Sequence, residues 1–136
     1  MAATPDIEST QSDAPGEVFD ITHESHGIIR VTIHSAFLAD RETPQVAKRV
    51  QDALDAFEGD GPVLVFDLAA VEFLNSMGLG MLINMRNRLC DRRGRTVILK
   101  PSIHLQSLLD LVRANRLFHI FDAEESLQNF VRSEEE

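Results

Sequence analysis

The chain has 136 residues, 43% of them hydrophobic, with 22 acidic against 13 basic side chains and a net charge of −9. That size and apolar content fit one compact domain with its own core. The acidic balance argues against nucleic acid as the main partner, because phosphate binding needs a basic footprint. No apolar run approaches the roughly 18 residues of a membrane span, and the opening MAATPDIESTQSDAPGE lacks both the basic and the apolar region of a secretory signal. A cytoplasmic protein without membrane insertion is the expectation.

Residues 1–16 mix Thr, Ser, Asp, Gln and Pro with Ile7 as the one aliphatic residue beyond Met1. Such a segment buries too little to offset the entropy of ordering, so it reads as a flexible acidic tail. Glu134, Glu135 and Glu136 form a second acidic tail over residues 133–136, leaving a domain over 17–132. Within it, Val18 to Thr22 and Gly27 to Ile33 are short apolar runs joined by the polar His23-Glu24-Ser25-His26, the pattern of an antiparallel hairpin. Thr43-Pro44 then predicts a helix start, Thr as N-cap and Pro at the first helical position. Val46, Ala47, Val50, Leu54 and Phe57 supply its apolar face, and Glu58-Gly59-Asp60-Gly61 ends it.

The most informative stretch follows, PVLVFDLAAVEFLNSMGLGMLINMRNRL over residues 62–89. Val63 to Leu68 is a β-branched and aromatic run, read as a buried strand. Leu79, Leu82, Ile83, Arg86, Leu89 and Cys90 recur at three- and four-residue steps, the mark of a helix with one packed face. Between them, Asn75-Ser76 offers two good helix N-caps; a cap on local sequence, Ser76 also presents a hydroxyl at the positive end of a helix. Asp91-Arg92-Arg93-Gly94 is a turn and Thr96 to Leu99 a further strand. Pro101-Ser102 opens a third helix with the face Leu105, Leu108, Leu109 and Val112. Phe118 to Phe121 is a last short strand, and Asp122 with Glu125 resembles a capping box ahead of Leu127, Phe130 and Val131.

The order β-β-α-β-α-β-α-β-α predicts an α/β domain with a mostly parallel sheet, right-handed crossovers, an antiparallel N-terminal edge hairpin and about four helices. In open α/β sheets the functional edge lies beyond the carboxyl ends of the strands, and the Asn75–Gly80 turn falls there.

Asp67-Leu68, Val71, Phe73-Leu74-Asn75-Ser76 and Gly78-Leu79 together resemble the signature of the STAS family, which includes the bacterial anti-sigma factor antagonists. Their motif runs roughly D-L-x-x-V-x-F-hydrophobic-D-S-x-G-L, and the likeness extends over about residues 17–131. Asn75 departs from it, standing where the family usually has Asp. The resemblance implies a binding module, not an enzyme, with Ser76 as phosphoacceptor and Asn75, Met77, Gly78, Leu79 and Gly80 as partner-binding positions. The implied partners are an anti-sigma factor that is also a serine kinase of the ATPase type, bringing ATP and Mg²⁺, and a phosphatase that resets the chain. This chain itself needs no cofactor. The family also contains unphosphorylated STAS subunits of larger assemblies, such as lipid-transport ABC systems or signalling scaffolds.

Other residues have plainer readings. Cys90, on the apolar side of its helix, reads as a buried small hydrophobe. Gly78 and Gly80 suit close approach or a tight helix start, and match no phosphate-cradling loop. Met77 points outward, as an adaptable partner contact or a half-buried surface residue. Arg86, Arg88, Arg92, Arg93 and Arg95 read as a solvated helix end favoured by the dipole, or as a patch for an anionic partner. The histidines (His23, His26, His34, His104 and His119) are scattered, and His23-Glu24-Ser25-His26 is one residue short of the H-E-x-x-H zinc helix. Catalysis by Ser76 would need a base, and neither a neighbouring His nor the G-x-S-x-G elbow is present in the sequence.

Overall fold

The computed structural model describes residues 18–38 and 40–135, with side chains through residue 133. The sequence reading of residues 1–16 as a tail therefore lies outside the described residues. The chain forms β1 (Phe19–Glu24), β2 (Ile28–Ile33), β3 (Phe37–Leu38), α1 (Thr43–Ala56), β4 (Val63–Asp67), β5 (Phe73–Leu74), α2 (Ser76–Cys90), β6 (Arg95–Leu99), α3 (Ile103–Leu111), β7 (His119–Phe121) and α4 (Glu124–Glu135). Five strands make the main sheet in the order β1-β2-β4-β6-β7. β1 and β2 pair antiparallel at one edge, and every later pairing is parallel. This is the mixed α/β sheet that the sequence predicts. Two elements are additional: β3 and β5 pair parallel as a separate two-stranded sheet, Phe37 opposite Phe73 and Leu38 opposite Leu74.

Side chains alternate across a strand, so a strand covered on both faces reads as a continuous apolar run. β4 is the middle strand and shows why. Its Leu64 and Phe66 join Val46, Val50, Leu82, Met85, Leu105 and Leu109 beneath α1, α2 and α3. Its Val63 and Val65 turn the other way and meet Leu127 and Val131 of α4, with Ile28, Val97 and Leu99. On that second face β2 also carries a charged side chain, Arg30. It donates from both terminal nitrogens to the Glu124 carboxylate of α4, at 2.8 and 2.7 Å, and from Nε to Glu24 of β1 at 2.8 Å. The Glu124 hydrogen bond raises the Arg30 pKa, and the same bond lowers that of Glu124.

Four local expectations shift. α1 begins at Thr43 itself, flanked by Glu42 whose carbonyl accepts from Val46 N–H at 3.0 Å, so Thr43 is the first helical residue and not the cap. In α2 the packed residues are Gly78, Met81, Leu82, Met85 and Leu89. The buried stripe is thus turned toward the two methionines, and Cys90 is exposed instead of buried. In α3 Leu105 and Leu109 are buried and Leu108 half-buried, but Val112 lies outside the helix and exposed, because Arg113 takes a left-handed conformation (φ 62°) that ends the run. α4 runs past residue 132 to Glu135, so its acidic end begins within a helix.

Among the described residues no helix is long and apolar enough to cross a membrane.

Candidate functional site: the start of the second helix

The site is built by the chain leaving β4. Asp67 closes the strand with a turn, its Oδ1 accepting from Ala69 N–H at 3.1 Å, while Leu68 and Val71 are buried beneath. The backbone N–H groups of Glu72 and Phe73 both donate to Ala36 O, at 2.7 and 2.9 Å, which ties this segment to the one after β2. β5 pairs there with β3, and Asn75 follows in an extended conformation (φ −91°, ψ −175°).

Asn75 is the N-cap of α2. Its Oδ1 accepts from Gly78 N–H at 2.9 Å, and its backbone carbonyl accepts from Leu79 N–H at 2.9 Å. Its Nδ2 donates to Asp40 Oδ1, across 35 residues of sequence. Ser76 is therefore the first helical residue and not the cap. The reason is geometric: a cap needs an extended backbone two or three residues before the N–H it serves, and Asn75 occupies that place. Relieved of the capping task, the Ser76 side chain is exposed at the positive end of a 15-residue helix, at the end of the central strand.

The residues expected beside it divide. Met77 is 46% exposed and Gly80 faces open space. Leu79 is half-buried and Gly78 is buried, where its missing Cβ would sit 2.9 Å from Leu74 Cδ1 and 3.1 Å from Leu74 Cγ. Close approach is thus the reason for Gly78, as read, and does not explain Gly80. The structure adds residues that the sequence reading missed. Phe37 and Phe73 lie side by side, 47% and 58% exposed, and the His104 ring of α3 stacks on Phe73 at 6.2 Å with an interplanar angle of 16°. Ile103, one residue before His104, is 81% exposed. A two-residue strand leaves too short a run for a period to show; the available signal was a Phe-Leu pair on each side, SAFLAD and VEFLNS.

The arginines stand elsewhere. Arg92 donates to the carbonyls of Leu54 and Phe57 at the end of α1, at 2.5 and 3.2 Å, and Arg86 donates to Leu117 O at 3.2 Å. Carbonyls at a helix end can take added donors in this way from a neighbouring element. Arg95 pairs in register with Val63, at the strand starts and so at the opposite end of the sheet from Ser76. A cavity of about 440 Å³ there is lined by His26, Asp60, Arg93 and Arg95 among others; a second, of about 390 Å³, is lined by Phe19, Pro44 and Lys48. None of these residues belongs to the Ser76 region. Among the described residues no group of three or more His, Cys, Asp or Glu side chains is placed so as to hold a metal ion.

These features define a small α/β domain whose candidate site is a surface at the strand ends: a capped helix start, an exposed hydroxyl and a row of uncovered aromatic rings. The chain belongs to the STAS domain family, whose model matches residues 43–127. Its fold is similar to that of an anti-sigma-factor antagonist (STAS) domain protein from Planctomyces limnophilus, at TM-score 0.73 and 16% identity over 84% of this chain and 97% of that one. An anti-sigma factor antagonist from Mycobacterium paratuberculosis matches at TM-score 0.68 and 23% identity, over 89% and 99%. The murine anion transporter Slc26a9 matches at TM-score 0.65 and 14% identity, over 79% of this chain and 18% of that one. No curated protein sequence matches the chain.

Proposed function

We propose that this chain is an anti-sigma factor antagonist, a binding module that docks its Ser76 edge on an anti-sigma factor with serine kinase activity and thereby frees a sigma factor. The observation that carries this reading is the exposed Ser76 side chain at the first turn of α2, with Asn75 making the cap in its stead. Phe37 and Phe73, on the paired strands just before the helix start, and Met77 in its first turn are exposed apolar surface suited to a protein partner, and Ile103 is exposed beside the His104 that stacks on Phe73. Two antagonists that are structural neighbours, one matched over 84% and the other over 89% of this chain, favour the same role.

In the proposed reaction the Ser76 Oγ attacks the γ-phosphorus of ATP held by the partner. A new O–P bond forms, the bond to ADP breaks, and the hydroxyl proton passes to a base of the kinase. This chain supplies only the hydroxyl and its placement. The added phosphate, carrying about −1.5 to −2 charges, sits where a helix end stabilises an anion by about 0.3–1 kcal/mol, so the fold persists. The same charge repels an acidic or desolvated facing surface, and the complex dissociates until a phosphatase resets it. It is a switch on binding and not on folding.

The test is phosphate transfer from the cognate kinase to the wild type and to Ser76→Ala, with affinity measured for Ser76→Asp. Transfer to the wild type alone and weakened binding by Ser76→Asp support the reading. Transfer that persists in Ser76→Ala, or undiminished binding by Ser76→Asp, ends it.

A second reading has its own observation, the same fold inside an anion transporter. In it the chain is an unphosphorylated STAS subunit of a larger assembly, a lipid-transport ABC system or a signalling scaffold. Co-purification with a membrane ATPase, with no phosphate on Ser76 by mass spectrometry, would favour it.

A further inference from the structure

Asp40 lies in the segment between β3 and α1, exposed, and no motif in the sequence marks it. Its carboxylate nevertheless accepts from the side-chain amide of Asn75, the residue immediately before Ser76. The pairing of β3 with β5 and the two N–H groups bonded to Ala36 O bring the two segments together, so the contact is built into the fold.

We propose that Asp40 is a positioning residue for Ser76, holding the Asn75 amide in the orientation that caps α2; this rests on the reading of Ser76 as the phosphoacceptor. An Asn side chain has an accepting and a donating end and can turn over. Here Oδ1 faces Gly78 N–H and Nδ2 faces the Asp40 carboxylate. Turning the amide over would set donor against donor at Gly78 and acceptor against acceptor at Asp40. Both contacts therefore select one state, and each reinforces the other. With Asn75 fixed, the first turn of α2 is fixed, and the Cα–Cβ bond from which the Ser76 hydroxyl extends has a defined direction. The pair also gives the Asn at position 75 a reason. An amide can serve the helix and the carboxylate at once, whereas an ionised carboxylate at position 75 would bring a second acceptor against Asp40.

The reciprocal exchange tests this. In Asp40→Asn/Asn75→Asp the amide and the carboxylate trade places. The amide now at position 40 can donate to the carboxylate now at position 75, whose other oxygen still accepts from Gly78 N–H. Two readouts are compared across the wild type, Asp40→Ala, the exchanged pair and Glu72→Ala, which removes a nearby exposed carboxylate as a control. The first is hydrogen exchange of the Gly78 amide in the isolated protein. Asp40→Ala should speed it about fivefold to tenfold, as loss of a charge-assisted bond loosens the cap. The second is steady-state phosphorylation by the cognate kinase. A misdirected hydroxyl on an intact docking surface should lower kcat about tenfold and leave KM within about twofold. The exchanged pair should recover both, and Glu72→Ala should change neither.

Wild-type exchange in Asp40→Ala overturns the proposal. So does faster exchange with unchanged kcat, which would make the contact merely structural, and so does an exchanged pair as impaired as Asp40→Ala. If the wild type takes no phosphate, the reading of Ser76 falls, while amide exchange still decides whether Asp40 holds the cap.

Discussion

Gly78 and Gly80 stand two residues apart in α2, and replacing each by Ala should have opposite effects. In a helix interior Ala is favoured over Gly by about 0.8–1 kcal/mol, chiefly through backbone entropy. At position 80 a Cβ would meet nothing within 4 Å, so Gly80→Ala should stabilise by about 1 kcal/mol. At position 78 the same gain is opposed. The new Cβ would lie 2.9 Å from Leu74 Cδ1 and 3.1 Å from Cγ, inside ordinary contact, so the whole side-chain branch must move and not only its tip. Leu74 is held by the pairing of β5 with β3, and overpacking of this kind costs about 1–3 kcal/mol. The net effect of Gly78→Ala is a loss of about 1 kcal/mol, and the two variants should differ by about 2 kcal/mol. At about 3.5 °C per kcal/mol for a domain of this size, that is a gap of about 7 °C in Tm. Thermal unfolding followed by circular dichroism measures it directly. A Gly78→Ala protein as stable as Gly80→Ala would refute the close packing of Leu74 under the cap.

Three more outcomes follow from the same geometry. Asn75→Ala should cost about 1 kcal/mol in urea unfolding, within the 0.5–2 kcal/mol range for a lost N-cap, whereas Ser76→Ala should stay within about 0.5 kcal/mol of wild type; equal losses would return the cap to Ser76. Glu124 has a lowered pKa in the folded state, so its pairing with Arg30 contributes stability above the unfolded carboxylate pKa of about 4.3, and the contribution disappears as pH falls through the lower folded value. Because the Glu124 side chain is 43% exposed, Glu124→Gln should cost no more than about 1 kcal/mol at pH 7, and the difference from wild type should vanish near pH 3; a difference that grows on acidification would reverse the assigned sign. Cys90 is exposed, so the native protein should be labelled by a thiol reagent such as dithionitrobenzoate to one equivalent without denaturant, and labelling only on unfolding would restore the buried reading.

The main sheet and its helices were legible because each carries a strong local signal. β4 is a run of four buried residues after Gly61-Pro62, and α1 repeats Val46, Val50 and Leu54 at four-residue steps. Where patterns were ambiguous the reading slipped by a turn fraction. α2 has apolar residues on several sides, and only packing distinguishes Met81 and Met85 from Leu79 and Cys90 as its inner face. The site was legible as a position but not as a set of roles. Asn75 and Ser76 are both good caps, and the extended backbone at residue 75 decides between them. Phe37 and Asp40 carry no periodic signal at all; a parallel pairing of two residues across 36 positions of sequence brings them to the helix start.

The five main strands lie in space in the order in which they occur along the chain, and the three helices that link the parallel strands cover the same side. A nascent polypeptide leaving the ribosome can therefore lay down this sheet strand by strand from the β1 edge, with no earlier gap waiting to be filled. The other side stays uncovered until the end. Ile28, Val63, Val65, Val97 and Leu99 meet their partners Leu127 and Val131 only when the last helix arrives. Synthesis halted before that helix would leave a formed sheet with a greasy face open to aggregation, which makes the C-terminal segment the lid that completes the molecule.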